Sequence, residues 1–193
     1  MKVYGDIISG NCLKVKYVAD YMGRDYEWVP LDVVGGEARN AAMLLKNPAG
    51  QVPFIELDDG RVLSQSNAIM RYLAEGSALI PSDAFMWAKM DQWLFWEQYS
   101  HETAIAVARF RVVYLGQAIS DLDAELVVKG NAALDLMEEH LTENTWFVGE
   151  SITLADVALC AYTQFAEQPG FSLESRPNIT QWLSATKAEL GIS

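Results

Sequence analysis

Short apolar runs alternate with amphipathic segments over the first 76 residues, a pattern typical of an α/β unit. Runs rich in branched and aromatic residues predict strands, and apolar residues at helical spacing predict helices. The predicted strands are 2–8, 26–31, 54–57 and 62–63. The predicted helices are 13–22, 36–46 and 66–75. Because Asp59-Gly60 is a hairpin signal between the last two strands, the predicted order is β-α-β-α-β-β-α.

The second half of the chain carries helical patterns with no competing strand signal. The predicted helices are 82–114, 121–142, one that begins near Thr153 and one that begins near Pro177. The first of them has no internal Gly or Pro, and its aromatic residues from Trp87 to Tyr99 are expected to lie mostly in the core and at the domain interface. The segment 77–82 (SALIPS) predicts a linker between domains 1–76 and 82–193.

Composition and charge narrow the class of protein. The 193 residues are 51% hydrophobic, which is ample for a core and excludes a disordered chain. Fourteen basic against 26 acidic residues give a net charge of −12, which argues against nucleic acid and anionic membranes as partners. No membrane span or signal peptide is evident, and two cysteines are too few for a disulfide framework or a metal site of zinc type. We therefore expect a soluble, cytoplasmic globular protein.

Candidate chemistry begins directly after the first predicted strand, in the segment 9–12 (SGNC). Ser9 and Asn11 can both cap the start of a helix, where the helix dipole favours negative charge. Cys12 is a rival nucleophile, because a thiol at a helix start can be activated. The position of Cys12 along the helix favours a buried, inert side chain instead.

A second group of candidates follows in the segment 47–53 (NPAGQVP) and at Gln65-Ser66. From the residues alone, Val52-Pro53 is most simply the start of a strand with a trans proline. Ser66 stands where a helix is predicted to begin, and its hydroxyl together with the exposed N–H groups there suits a carboxylate. A plain helix-capping role for Ser66 is compatible with that function.

The order of elements and these two motifs together resemble the glutathione transferase superfamily. The resemblance extends over essentially the whole chain, and its motifs are specific only in combination. It implies an α/β + all-α fold, with an N-terminal thioredoxin-like domain followed by an all-helical C-terminal domain. It also implies glutathione as co-substrate and a symmetric homodimer.

The resemblance assigns roles to individual residues. The bond Val52-Pro53 would be cis, and the Val52 backbone would pair with the cysteinyl part of glutathione. The residues that would bind glutathione are Gln51, Val52, Pro53, Gln65 and Ser66. Many relatives carry an acidic residue where Gln65 stands, which would weaken the contact to the amino group of the ligand.

Two catalytic residues are expected by the same resemblance. Ser9 matches the catalytic serine of theta-like and many bacterial members, and Asn11 matches the asparagine of nu-like members, which reduce disulfides and peroxides. Tyr4 lies within the first strand, so we expect it in the core or at a subunit surface. A further family mark is the predicted capping box of Thr153 and Asp156, with Asp156 a buried folding determinant.

Three functions remain open at this stage. The leading prediction is a detoxifying transferase that stabilises the glutathione thiolate with Ser9 and attacks a small hydrophobic electrophile. The alternatives are a glutathione-dependent disulfide or peroxide reductase, favoured by Asn11, and a non-catalytic scaffold, favoured by Gln65. The expected substrate-pocket residues are Trp96, Tyr99 and Arg109, although an arginine pair such as Arg109 and Arg111 more often forms structural salt bridges.

Overall fold

Residues up to Ser77 form one structural unit and residues from Ala78 form another. The structure is a computed structural model that describes residues 1–192. The strands of the first unit are β1 (Lys2–Gly5), β2 (Glu27–Pro30), β3 (Phe54–Glu56) and β4 (Val62–Ser64). Its helices are α1 (Gly10–Tyr21), α2 (Ala41–Lys46) and α3 (Ser66–Leu73). A short 3₁₀ turn at Glu37–Arg39 precedes α2.

The sheet of the first unit has the order β2-β1-β3-β4. Strand β1 is parallel to β2 and antiparallel to β3, and β3 is antiparallel to β4. In the register, Tyr4 lies opposite Phe54, and Phe54 lies opposite Ser64. The carboxyl ends of β1 and β4 and the amino end of β3 therefore meet at one edge of the sheet. We call this edge the loop edge.

The order of elements in the first unit matches the prediction, while several boundaries differ. The first strand ends at Gly5 instead of residue 8, because residues 6–9 turn back and the Ser9 N–H donates to the Asp6 carbonyl oxygen at 3.0 Å. Helix α1 begins at Gly10 instead of Leu13. The single helix predicted at 36–46 is divided at Asn40, whose side chain caps α2 by accepting from the Met43 N–H at 3.0 Å.

All regular elements of the second unit, among its described residues, are helices. Its α-helices are α4 (Ala84–Trp96), α5 (Val107–Arg109), α6 (Ala124–Glu143), α7 (Leu154–Thr163) and α8 (Pro177–Leu190). The predicted helix 82–114 is continuous, but it widens into π-helical turns at Glu97–Ala106 and Phe110–Tyr114. Neither these turns nor the short 3₁₀ turn at Ile119–Asp121 is predicted by the pattern of residues.

The expectation that the aromatic residues from Trp87 to Tyr99 are mostly core residues is wrong. Trp93 is buried, but Phe95 and Tyr99 are 75% and 85% exposed. The helical repeat places Phe95 and Tyr99 four residues apart on an outward face, whereas Trp93 and His101 lie on the inward one. Aromatic character therefore did not indicate the direction of these side chains.

The capping box at the start of α7 is confirmed. Asp156 is completely buried, as expected. Its Oδ2 accepts from the N–H and the hydroxyl of Thr153 at 2.8 and 2.9 Å. Its Oδ1 accepts from the Phe147 N–H and the Trp182 Nε1–H, both at 3.0 Å. One carboxylate therefore joins the start of α7 to the loop before it and to α8.

Candidate active site

The topology brings the two groups of predicted site residues to the same edge of the sheet. Ser9 and Asn11 follow β1, Val52 and Pro53 precede β3, and Ser66 follows β4. These three chain segments meet at the loop edge because of the strand register. The Ser66 hydroxyl donates to Asn11 Oδ1 at 3.1 Å, so the first turns of α3 and α1 are in direct contact.

Ser9 occupies the N-cap position of α1 without using its hydroxyl to cap the helix. Its backbone is extended, with φ −72° and ψ 123°, and its carbonyl oxygen accepts from the Leu13 N–H at 2.9 Å. The side chain is partly exposed and makes no capping hydrogen bond. The Ser9 hydroxyl is hydrogen-bonded to the Cys12 thiol, which is a weak acceptor, so by turning away from it the hydroxyl can donate to an anion at the helix N-terminus. Asn11 lies inside the first turn, so the expectation that it could cap α1 is wrong.

Cys12 is buried behind this helix start, as its position in the sequence indicates. Burial raises the pKa of its thiol to about 11, although hydrogen bonds from the Asp6 N–H and the Ser9 hydroxyl lower it. The fit is tight, because a Cβ on Gly5 would lie 2.9 Å from Cys12 Sγ. The Cys12 thiol therefore stays protonated and enclosed, which argues against a nucleophilic role.

We expect both cysteines to resist alkylation in the native protein. Burial raises the pKa of the Cys160 thiol to about 12, so at pH 8 only about one in a thousand or fewer of either thiol is ionised. Iodoacetamide at pH 8 should therefore label neither thiol in native protein and both in denaturant, as read by mass spectrometry. Rapid labelling of Cys12 in the native state would restore it as a candidate nucleophile.

The segment before β3 is held by Asn47. The Asn47 side chain donates to the Gln51 carbonyl oxygen at 2.8 Å and accepts from the Ala49 N–H at 3.3 Å. Val52-Pro53 is a cis peptide bond, as the resemblance implies. The N–H and C=O of Val52 form no hydrogen bond within residues 1–192, and its side chain packs on the core beside Phe54. The backbone of Val52 is therefore available to pair with an extended ligand.

Gln65 and Ser66 form the start of α3. Gln65 is the N-cap residue, so Ser66 is the first residue of the helix and not its cap. Gln65 has φ 74° and makes no capping bond with its side chain. A positive φ at a residue other than glycine costs about 1–3 kcal/mol and is found preferentially at ligand-binding positions. The exposed amide of Gln65 is thus held beside the first N–H groups of α3.

Tyr4 is a core residue, as its place in the strand predicts. Its ring stacks on Phe54 with centroids 4.4 Å apart, and its hydroxyl donates to Glu56 at 2.7 Å. Burial and the hydrogen bond with the Glu56 carboxylate raise the pKa of Tyr4. Lys46 forms an ion pair with the same carboxylate at 2.6 Å. This phenol is bound to a carboxylate on the sheet and is poorly suited to hold a thiolate.

The predicted substrate-pocket residues lie in the second unit and differ in their surroundings. Trp96 is partly buried and meets Trp93 edge to face, with ring centroids 5.2 Å apart. Tyr99 is largely exposed. Arg109 is 3% exposed, stacks on Phe165, and donates to Gln168 at 2.7 Å. Contacts within the helical unit therefore explain much of the position of the Arg109 side chain.

Among residues 1–192, no cluster of three or more His, Cys, Asp or Glu side chains could hold a metal ion. Within the same range, no helix is long and apolar enough to cross a bilayer.

The fold and the loop edge define a thioredoxin-like domain joined to an all-helical domain. Residues 8–75 match the family model of the glutathione S-transferase N-terminal domain, and residues 104–188 match that of the glutathione S-transferase C-terminal domain. The chain belongs to the glutathione S-transferase family.

Individual relatives agree with this assignment. Glutathione S-transferase 3 of Zea mays is 32% identical, and the alignment covers 97% of this chain and 89% of that protein. A solved glutathione S-transferase structure from Pseudomonas fluorescens is 43% identical with a TM-score of 0.94, covering 97% of this chain and 94% of that one. Ure2p in complex with glutathione, at 21% identity and a TM-score of 0.87, shares the fold, with 96% of this chain and 93% of that one covered.

Proposed function

We propose that this protein binds glutathione at the loop edge and activates its thiol for attack on a small hydrophobic electrophile. The observation that carries the proposal is the Ser9 hydroxyl, which stands at the N-terminus of α1 without capping it. The solved complex of Ure2p with glutathione supports the same ligand for this fold.

The cysteinyl and γ-glutamyl parts of glutathione have complementary groups at the loop edge. The Val52 peptide group can pair with the cysteinyl backbone, next to the Gln51 and Pro53 positions that flank it. The N–H groups of the first turn of α3 favour the γ-glutamyl carboxylate, with Gln65 and Ser66 beside them. The thiol then lies towards the start of α1, where Ser9 is found.

The chemistry follows from thiolate stabilisation. The Ser9 hydroxyl donates a hydrogen bond to the sulfur, and the positive end of the α1 dipole lowers the energy of the anion further. The thiol proton passes to solvent, and the thiolate electron pair forms a sulfur–carbon bond to the electrophile. For an aryl halide, the halide leaves with the electrons of the broken carbon–halogen bond. The rate enhancement comes from the proximity of the thiolate to the electrophile and from the high fraction of ionised thiol.

The proposal is tested by binding and turnover together. Calorimetry should detect saturable glutathione binding, and conjugation of an aryl halide should exceed the uncatalysed rate at the same pH. Binding without conjugation would contradict the transferase function, and absence of binding would favour the scaffold.

We expect Tyr4→Phe to leave thiol activation intact. The change removes the hydrogen bond to Glu56, so it should lower the free energy of unfolding by about 1 kcal/mol. Since the Tyr4 hydroxyl is committed to Glu56, kcat/KM and the pKa of bound glutathione should match those of the wild type. A large loss of kcat/KM in folded Tyr4→Phe would instead identify the phenol as the thiolate donor.

Asn11 favours a second candidate, the glutathione-dependent reduction of disulfides or peroxides. Its amide lies in the first turn of α1 and is held by Ser66, two residues from Ser9. To decide between reduction and conjugation, the turnover of a model disulfide is compared with the turnover of an aryl halide by the same preparation. Faster disulfide turnover that depends on Asn11 would make reduction the principal activity.

A homodimer in the cytoplasm is part of the proposal. The helical unit exposes Phe85 and Phe95 at 69% and 75%, and large exposed aromatic residues are typical of association surfaces. Light scattering at several concentrations should give twice the chain mass of 21.5 kDa. The pocket for the electrophile, with Trp96, Tyr99 and Arg109, stays a prediction.

A further inference from the structure

Helix α2 has little of its surface packed against the rest of the first unit. None of its six residues is buried, and Leu45 is 88% exposed. Met43 is partly buried and packs on the core of the sheet. The helix leads directly into the segment 47–53, which contains the Val52 backbone that would pair with a ligand. The interactions at the end of α2 therefore also place the start of that segment.

The last residue of α2, Lys46, forms an ion pair with Glu56 at the end of β3. Lys46 Nζ lies 2.6 Å from Glu56 Oε1, and the two side chains are partly buried, with 30% and 23% of their surface exposed. The second carboxylate oxygen, Oε2, accepts from the Tyr4 hydroxyl at 2.7 Å, which ties the carboxylate to β1. The hydrogen bond from Lys46 holds the pKa of the Glu56 carboxyl below its usual value, and the same bond raises the pKa of Lys46. Both groups are therefore charged at neutral pH.

Lys46 and Glu56 stand on either side of the segment that contains Val52. On the α2 side, the Asn47 side chain donates to the Gln51 carbonyl oxygen at 2.8 Å. On the other side, the segment runs into β3, which carries Glu56. The Val52 peptide groups are thus placed from both ends, and the ion pair fixes the two ends relative to each other.

The placement of this segment matters for a ligand that binds as an added strand. Such a ligand needs the N–H and C=O of Val52 in fixed directions. A segment that is ordered before binding loses less conformational entropy when the ligand arrives, so it binds more tightly. Ionisation of the ligand thiol depends instead on Ser9, at the start of a different element.

We propose that Lys46 and Glu56 are positioning residues, whose ion pair holds the end of α2 against β3 and thereby sets the Val52 backbone in the direction that glutathione requires. This inference rests on the proposed function. The two side chains act through the segment 47–53 and do not themselves contact the ligand. They therefore determine the affinity for glutathione and leave the ionisation of its thiol unchanged.

The first test is the dissociation constant of glutathione, measured by calorimetry in Lys46→Met. It should rise about two- to fivefold, the range expected for loss of one partly exposed ion pair. The thiol pKa of bound glutathione and kcat at saturating glutathione should stay at the wild-type values, while KM for glutathione rises. Lys46→Arg keeps the charge and should restore most of the affinity.

Lys16→Met is the matched control for the loss of one positive charge. The ion pair of Lys16 with Asp20, at 2.5 Å, lies within α1 and does not span the segment 47–53. This variant changes the net charge by the same amount as Lys46→Met. It should leave the dissociation constant of glutathione unchanged.

Glu56→Gln distinguishes positioning from a direct contact between Lys46 and the ligand. Glutathione is an anion, so removal of a carboxylate that neutralises Lys46 would strengthen binding if charge alone decided the affinity. Positioning predicts the opposite, a rise in the dissociation constant similar to that in Lys46→Met. Since both changes break one ion pair, the double variant should bind no more weakly than either single variant. Tyr4→Phe keeps the ion pair and should bind as the wild type does.

Hydrogen exchange reports on the segment independently of binding and turnover. The Asn47 N–H donates to the Met43 carbonyl oxygen at 2.8 Å, and the Gly50 N–H donates to the Asn47 carbonyl oxygen at 3.0 Å. In Lys46→Met without ligand, the amides of residues 46–52 should exchange faster than in the wild type. Saturating glutathione should remove most of this difference, as read by mass spectrometry.

Failure of this inference can be told apart from failure of the proposed function. A wild-type protein that does not bind glutathione overturns the proposed function itself. If the wild type binds it, an unchanged dissociation constant in Lys46→Met overturns the positioning role. Tighter binding by Glu56→Gln, or a shift of the thiol pKa in either variant, also overturns it.

Discussion

Replacing Ser9 by Ala should lower kcat/KM for aryl-halide conjugation near neutral pH by about 25-fold. The Ser9 hydroxyl stands at the α1 N-terminus without capping the helix, and the Cys12 thiol to which it is hydrogen-bonded is a weak acceptor that a thiolate can replace. A thiol pKa that returns upward by two units, from about 6.5 to about 8.5, leaves only about one twenty-fifth as much thiolate at pH 7. The measurement is initial rate against glutathione and aryl-halide concentration, with far-ultraviolet circular dichroism to confirm the fold.

The pH dependence of kcat/KM is the control for this prediction. Since the loss comes from ionisation, kcat/KM of Ser9→Ala should keep rising with pH where the wild type is already level, and the two should converge in alkaline solution. Ser9→Thr retains a hydroxyl and should keep much of the activity. A loss that is constant from pH 6 to 9 would mean that Ser9 contributes something other than thiolate stabilisation.

Replacing Asp156 by Ala should lower the free energy of unfolding by about 3–5 kcal/mol. The buried carboxylate accepts four hydrogen bonds, and its removal leaves the Phe147 N–H and the Trp182 Nε1–H without an acceptor. At about 2–4 °C per kcal/mol for a chain of this size, the melting temperature should fall by about 6–20 °C. Scanning calorimetry of purified protein measures it, and soluble yield should fall as well.

Two further variants show whether the loss of stability comes from removal of the buried hydrogen-bond acceptor. Asp156→Asn keeps the shape and one oxygen, so it should lose less stability than Asp156→Ala. Asp121→Ala removes a carboxylate at an exposed turn and should change the melting temperature little. Folded Asp156→Ala should still bind glutathione, because Asp156 and its partners all belong to the helical unit. An unchanged melting temperature would contradict the account.

The sequence predicted those parts of the site that depend on local chemistry. Ser9 at a helix start, the strand after Pro53 and the helix at Ser66 all follow from turn residues and apolar periodicity. Their convergence required the sheet register, which pairs Tyr4 with Phe54 and Phe54 with Ser64 across distant segments. Periodicity does not encode that register, so the resemblance to a family supplied it.

Other features lay beyond sequence reasoning for physical reasons. The bond from Ser66 to Asn11 joins helices separated by most of the first unit, and the positive φ of Gln65 occurs at a residue type that gives no sign of it. The outward direction of Phe95 and Tyr99 shows a different limit. Apolar residues can be exposed at an association surface as well as buried, and composition alone does not distinguish the two.

The most direct test of the central claim, that Ser9 stabilises the glutathione thiolate, is a pH titration of thiolate absorbance for bound glutathione. We expect the wild type to lower the thiol pKa about two units below that of free glutathione, and Ser9→Ala to return it most of the way. If the wild type and Ser9→Ala bind glutathione equally and titrate at the same pH, Ser9 does not activate the thiol, and the account of this site is wrong.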